Sequence, residues 1–240
     1  MDELNVFAAE FEQKLKQFQS GKDREKNARF APATEGSKVL GVRHKHIFDL
    51  AKTFAQMPLG EIEKLLESPY YEIRMGAVSI MDFQVQRKKI PSVERKALYD
   101  LYLNRHDRID NWDLVDRAAK RVVGGYLYEC GQPWEVLFQL AKSKNVWERR
   151  TAIVATSYFI GKGELDPSFQ VGEILVNDEH DLIQKAVGGW IREAGKKDQA
   201  RLTAFLNRHA KQMPRTMVRY AAEKLPIALQ NEYLAKGAGG

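Results

Sequence analysis

Prolines cut this chain into short pieces, and the pieces between them carry helical spacing. Pro58, Pro69, Pro91, Pro133, Pro167, Pro214 and Pro226 each lie at or near the start of such a piece. A proline there costs nothing, because the first turn of a helix has no use for the missing N–H. Leu59, Ile62, Leu65 and Leu66 share one helix face, as do Trp134, Leu137, Phe138 and Ala141. Nowhere does a sustained alternation of period two, bounded by turn residues, mark a strand. The expected fold class is therefore all-α, built from many short helices.

A weak internal repeat sharpens this. Ser68 is followed six residues later by Arg74 and then by Ala77-Val78. Ser143 is followed six later by Arg149 and then by Ala152-Ile153, 75 residues further along. Asp178 opens a similar unit 35 residues after Ser143, and Asn104 to Val123 would supply the unit in between. That separation is about two helix-pair repeats. It predicts a HEAT/armadillo-like α-solenoid of stacked antiparallel helix pairs with a concave basic surface, in preference to an irregular bundle. We expect one domain over residues 1–235: an N-terminal helix and loop (1–38, with residues 19–38 as the loop), then repeats from about 40 to 235. Residues 236–240, Lys-Gly-Ala-Gly-Gly, read as a disordered tail.

Charge is distributed unevenly. The net charge is +6 over 240 residues. Residues 181–240 hold 11 Lys/Arg against 5 Asp/Glu, whereas the first 180 hold 27 of each. One end of the molecule is thus suited to a polyanion, although a solvated basic surface has the same composition. The single Cys130 excludes an internal disulfide and a cysteine zinc cluster. Cysteine this sparse fits a reducing cytosol. Met1-Asp2-Glu3 opens no signal peptide, and no apolar run approaches membrane-spanning length. The expectation is a cytoplasmic, soluble, monomeric protein with no membrane partner, no metal and no cofactor.

Three segments carry candidate chemistry: Asn111-Trp112-Asp113-Leu114-Val115-Asp116, Trp147-Glu148-Arg149-Arg150 and Gln184 to Glu193. Trp112 and Asp116 are four apart and so are neighbours on one helix face, with Asp110 or Asn111 as its cap. A tryptophan usually packs in a core and a helical aspartate usually faces water. On an exposed face, however, a tryptophan is costly unless it meets a ligand. Arg149 and Arg150 suit either a salt bridge between repeats or a phosphate, which the planar guanidinium grips bidentately. Lys185 and Arg192 lie two turns apart on one face, and Arg215 and Arg219 lie one turn apart. With Arg150 they form a candidate ladder of cations along one nucleic-acid strand. His44, His46, His106, His180 and His209 show no catalytic setting in the sequence. A Gly-rich phosphate loop and a metal-ligand spacing are both missing.

The segments NWDLVD, VWERRTAI, IQKAVGGWIREAGKKD and MPRTMVRYAAEKLP resemble the AlkD-type DNA alkylation repair family, bacterial alkylpurine DNA glycosylases built from HEAT-like repeats. The resemblance covers roughly residues 40–235 and includes the Gly41-Val42-Arg43 entry, which puts Arg43 among the DNA contacts. It implies that Asp116 is the catalytic carboxylate, that Trp112 lies against the backbone at the lesion, and that Arg150 completes the site. Double-stranded DNA with alkylated bases is the implied partner, so the protein is nucleoid-associated when bound. One departure stands out. The family places a second tryptophan where this chain has Gly189, and Trp190 follows one residue later. One residue is about 100° of helical rotation, which would turn Trp190 away from the site unless the helix is distorted.

The residue types suit the implied reaction. A purine alkylated at N3 or N7 is cationic and leaves without a general acid. One carboxylate then suffices to stabilise an oxocarbenium-like sugar and admit water. Indole faces attract the charged base by about 0.5–2 kcal/mol. The resemblance also implies recognition through the backbone, with no tight base pocket and room for bulky cationic adducts. Two other readings stay open at this point: a non-catalytic DNA-binding relative, and a helical-repeat scaffold for protein partners.

Overall fold

In the computed structural model, residues 7–28 and 36–237 are described. They form an all-α fold with no strand among them; the one backbone bridge outside helices pairs Lys38 with Tyr70. The chain divides into two compact units, Met1–Tyr126 and Leu127–Gly240.

Unit 1 contains α1 (Ala8–Lys16), α2 (Gly21–Ala28), α3 (His44–Thr53), α4 (Leu59–Leu66), α5 (Tyr71–Val85), α6 (Ser92–Asn104) and α7 (Trp112–Ala119). A π-helical stretch, Lys120–Gly124, leads from α7 into α8 (Gly125–Glu129), which crosses the boundary. The prolines act as expected: Pro58 and Pro91 are the caps of α4 and α6, with φ near −60° and extended ψ. Helix α5 is the axis of this unit. Nearly all of it is buried, and α3, α4 and α7 pack around it. Gly76 lets it do so, because a Cβ there would stand 2.4 Å from the Phe11 ring of α1.

Unit 2 continues with α9 (Val136–Ala141), α10 (Val146–Lys162), α11 (Asp166–Ile174), α12 (Asp181–Gly195), α13 (Gln199–His209), α14 (Arg215–Ala222) and α15 (Ile227–Lys236). Helix α10 is its buried axis, as α5 is in unit 1. The short links between α9 and α10, α11 and α12, and α13 and α14 make successive helix hairpins. The second helices pack in sequence, α10 on α12 and α12 on α14, and unit 1 does the same with α3, α5 and α7.

The repeat signature turns out to be a staple. Arg74 is buried, donates to the Ser68 carbonyl at 3.0 Å and pairs with Asp110 at 2.8 Å. Arg149 donates to the Ser143 carbonyl at 3.0 Å and pairs with Asp178 at 2.6 Å. Each arginine closes the loop before its own helix and holds the loop before the next second helix. The frame continues beyond the aspartates: Asp113-Leu114-Val115 follows Asp110 as Asp181-Leu182-Ile183 follows Asp178.

Two expectations are corrected. Residues 21–28, read as loop, form helix α2. Its sequence lacks apolar spacing because its contacts are polar: Asp23 pairs with Arg43 at 3.0 Å, and Asn27 donates to the Val42 carbonyl at 2.9 Å. Gly41, at φ +85°, allows the close approach, since a Cβ there would meet the Ser20 carbonyl at 2.5 Å. At the other end, Lys236 closes α15 and belongs to no disordered tail. Residues 29–35 of the expected loop and 238–240 of the expected tail lie outside the described residues.

Candidate functional site

Every candidate residue from the sequence lies on, or one residue before, a second helix of a pair. Trp112 and Asp116 are on α7, Arg149 and Arg150 on α10, Lys185, Trp190 and Arg192 on α12, and Arg215 and Arg219 on α14; Arg43 precedes α3.

In unit 1, Asn111 caps α7 by accepting from the Trp112 N–H at 3.0 Å, while Asp110 is committed to Arg74. Trp112 is half-buried and Asp116, one turn on, is exposed. Unit 2 has His180 where unit 1 has Trp112, and Gln184 where it has Asp116. Gln184 bonds the loop carbonyls of Asp178 and Glu179, and Asp116 is exposed. Asp82, fully buried on α5, orients α7 from below. It accepts from Arg117 and Arg121, and the Arg117 guanidinium lies 4.9 Å from the rings of both Phe48 and Phe83.

Trp112 lines a cleft of about 780 Å³ with Arg43, His44, Tyr71, Asp113 and residues of α2. Sequence reasoning found Arg43 and Trp112 here and missed the rest. His44 does have a setting: its Nε2 is 3.1 Å from the Tyr71 hydroxyl, which donates to buried Asp113. Burial pushes the Asp113 carboxyl above its usual 3.8, the Tyr71 hydrogen bond partly opposing the rise. Burial and the Asp113 charge push the Tyr71 phenol far up as well. A carboxyl whose folded pKa is raised contributes stability at low pH that is lost as pH rises through that pKa. Asp113→Asn is therefore expected to melt above wild type at about pH 8, the difference shrinking as pH falls toward the ordinary carboxylate range. Thermal melts at the two pH values check this.

In unit 2, Arg150, Lys185, Trp190, Arg192 and Tyr220 line a cleft of about 480 Å³. Arg150 is buried and donates to the Leu182 carbonyl at 2.7 Å, which aims α10 at the start of α12. Lys185 pairs with Asp181 at 2.6 Å on the surface, and that hydrogen bond raises its pKa. Arg192 is tied to Glu193 and Glu223. Arg219 stacks over the Tyr220 ring at 5.1 Å. Arg215 donates to the Leu234 carbonyl at 3.1 Å near the end of α15, and neither it nor Arg219 lines the cleft. Arg149 departs furthest from its expected role, since its guanidinium is fixed on Asp178 and on the Ser143 and Lys144 carbonyls.

The two glycines of α12 divide the work. A Cβ on Gly188 would stand 2.5 Å from the Met217 carbonyl, so this residue lets α14 close onto α12. A Cβ on Gly189 would meet nothing within 4 Å. Trp190, on the same helix α12, lines the cleft with Arg150. With no side chain at Gly189, the next residue bounds that wall. We expect Gly188→Ala to cost about 1–3 kcal/mol by overpacking. Gly189→Ala should instead stabilise by up to about 1 kcal/mol, as in any open helical position. Urea unfolding of the two variants distinguishes them.

The fold is that of an all-α protein built from stacked helix pairs, with cations, aromatics and a carboxylate on its second helices. The family model "DNA alkylation repair enzyme" matches residues 11–225, and the chain belongs to that family. A solved structure described as a predicted DNA alkylation repair enzyme from Enterococcus faecalis shares the fold, with a TM-score of 0.69 at 18% identity over 87% of this chain and 97% of that one. Among curated proteins no relative matches. No helix among the described residues is long and apolar enough to cross a membrane.

Proposed function

We propose that this protein is a DNA glycosylase that hydrolyses the N-glycosidic bond of cationic N3- or N7-alkylated purines in duplex DNA. The observation that carries the reading is Asp116. It is an exposed carboxylate one turn from a half-buried tryptophan, at a position where the repeated frame has Gln184. The alkylated base already carries the positive charge that makes it a leaving group. As it departs, positive charge moves onto the sugar, and an ionised carboxylate beside the anomeric carbon stabilises that charge. Trp112 offers an indole face to the cationic base or sugar. Water completes the reaction, leaving an abasic site and a neutral base.

Unit 2 supplies cations for the phosphate backbone. Arg150, Lys185 and Arg192 border one cleft, and the charge of Arg219 is felt at Lys185. Arg215 is exposed nearby on α14 and Arg43 exposed on unit 1. Arg149 we assign to the staple and not to DNA. The protein acts on double-stranded DNA as a monomer, in the cytoplasm and on the nucleoid.

Base release from methylated duplex DNA tests the activity, and DNA affinity at several salt concentrations tests the surface. Lys185→Ala is expected to weaken binding equally across sequences and to reduce the salt slope by about one. An unchanged slope would remove Lys185 from the phosphate contacts.

A further inference from the structure

The unit 1 cleft contains a chain of groups that the reaction of a cationic base does not use. Asp113 is buried, and its Oδ1 accepts from the Leu114 N–H at 2.9 Å. Its Oδ2 accepts from the Tyr71 hydroxyl, and Tyr71 is only 1% exposed. Tyr71 meets His44 Nε2 at 3.1 Å, and that Nε2 is 3.9 Å from Asp113 Oδ2. The His44 side chain is 52% exposed, stacks on Phe48 at 5.6 Å, and borders the cleft beside Trp112. The chain therefore runs from a buried carboxylate, through a phenol, to an imidazole at the cleft surface.

Hydrogen-bond direction gives the chain its sense. An ionised carboxylate only accepts, so the phenol donates to Asp113. The phenol oxygen is then free to accept from His44 Nε2–H, which leaves Nδ1 as the ring nitrogen for a ligand. In the imidazolium form Nδ1 carries a proton to give.

The scaffold does not need this chain. Val146 opens α10 where Tyr71 opens α5, three residues before each staple arginine. Asp181, the counterpart of Asp113, is exposed and pairs with Lys185. Unit 2 folds on the same frame without a phenol or a buried carboxylate at these positions.

We propose that His44, positioned by Tyr71 and Asp113, is a general acid that extends the substrate class from cationic to neutral alkylated purines. The proposal rests on the glycosylase reading above. A neutral purine leaves poorly because its departure puts negative charge on the ring. In the proposed step the C1′–N9 bond breaks with its electron pair passing to the base. The His44 imidazolium gives its Nδ1 proton to a ring nitrogen of the base. The oxygen of water bonds to C1′ and releases a proton to solvent, and solvent reprotonates His44. The products are an abasic site and a neutral base. A cleft of about 780 Å³ has room for a purine.

The test is single-turnover release of 1,N6-ethenoadenine, a neutral lesion, and of 7-methylguanine, a cationic one, from duplex DNA by the full chain across a pH series. Wild type is expected to release both, with ethenoadenine release falling as pH rises. Besides Tyr71 and Asp113, the charged groups bordering the cleft are Arg43, Asp23, Lys22, Lys26 and Glu25, and the limb reflects their sum. His44→Gln should lower ethenoadenine release by about 10²–10⁴-fold, abolish its pH limb and leave 7-methylguanine release within about threefold. Tyr71→Phe should lower ethenoadenine release while leaving 7-methylguanine release within about threefold, a selectivity that a purely structural role would not produce. Release of 7-methylguanine without ethenoadenine, or ethenoadenine release unchanged in His44→Gln, overturns the proposal and leaves the glycosylase reading standing. Release of neither base by folded, DNA-binding wild type overturns both.

Discussion

Asp116→Asn is expected to lower 7-methylguanine release by about 10²–10³-fold, the usual cost of removing one electrostatic partner of a charged transition state. The substitution keeps shape and removes charge. Asp116 is exposed on α7 and lies outside the repeat staple, so the melting temperature should stay close to wild type. DNA affinity should also hold or rise slightly, since one negative charge facing a polyanion is gone. A rate loss with unchanged folding and binding places the carboxylate in the transition state. A loss of rate and stability together would place it in the scaffold instead.

Arg74→Ala is expected to be the most destabilising single change among the staple residues, at about 3–5 kcal/mol. The guanidinium is 1% exposed and faces Asp110, which is itself buried. Removing one partner strands the other as an uncompensated carboxylate and leaves the Ser68 carbonyl with fewer donors. Arg74→Met combined with Asp110→Leu should recover much of the loss, because the penalty arises from the unpaired charge more than from a missing attraction. Arg149→Ala should cost less, since its side chain is 18% exposed and Asp178 can regain water. Urea unfolding of the four proteins measures each term. If Arg149→Ala leaves stability unchanged and only weakens DNA binding, the staple assignment in unit 2 is wrong and the phosphate role expected from sequence is restored.

The parts of this fold that sequence reveals are those set by local chemistry. Pro58, Pro91, Pro214 and Pro226 all sit as caps before helices because φ near −60° and a missing donor permit little else. The Ser68–Arg74 and Ser143–Arg149 spacing is legible as a repeat for the same reason, since each arginine reaches back six residues along its own chain. Its meaning is less legible. A guanidinium fork fits a carboxylate and a phosphate equally well, so Arg149 looks like a DNA contact until Asp178 is seen beside it. Helix α2 escapes notice because it is held by Arg43, Val42 and Gly41 across a turn of chain, with no apolar stripe. The His44–Tyr71–Asp113 chain leaves no trace of spacing at all: its members are 27 and 42 residues apart and meet only because α3, α5 and α7 start side by side.

Gly189 is where the sequence departs from the expected family pattern. A Cβ on Gly189 would face open space. Trp190 nevertheless borders the cleft that holds Arg150, Lys185 and Arg192. Gly188 packs the same helix tightly against α14.

The most direct measurement is chromatography of the bases that the wild-type chain frees from N-methylated duplex DNA, with abasic sites counted in the same sample. Free 7-methylguanine and 3-methyladenine, matched one for one by abasic sites, are the predicted result. Methylated DNA that is bound by the folded protein and recovered with every glycosidic bond intact would contradict it.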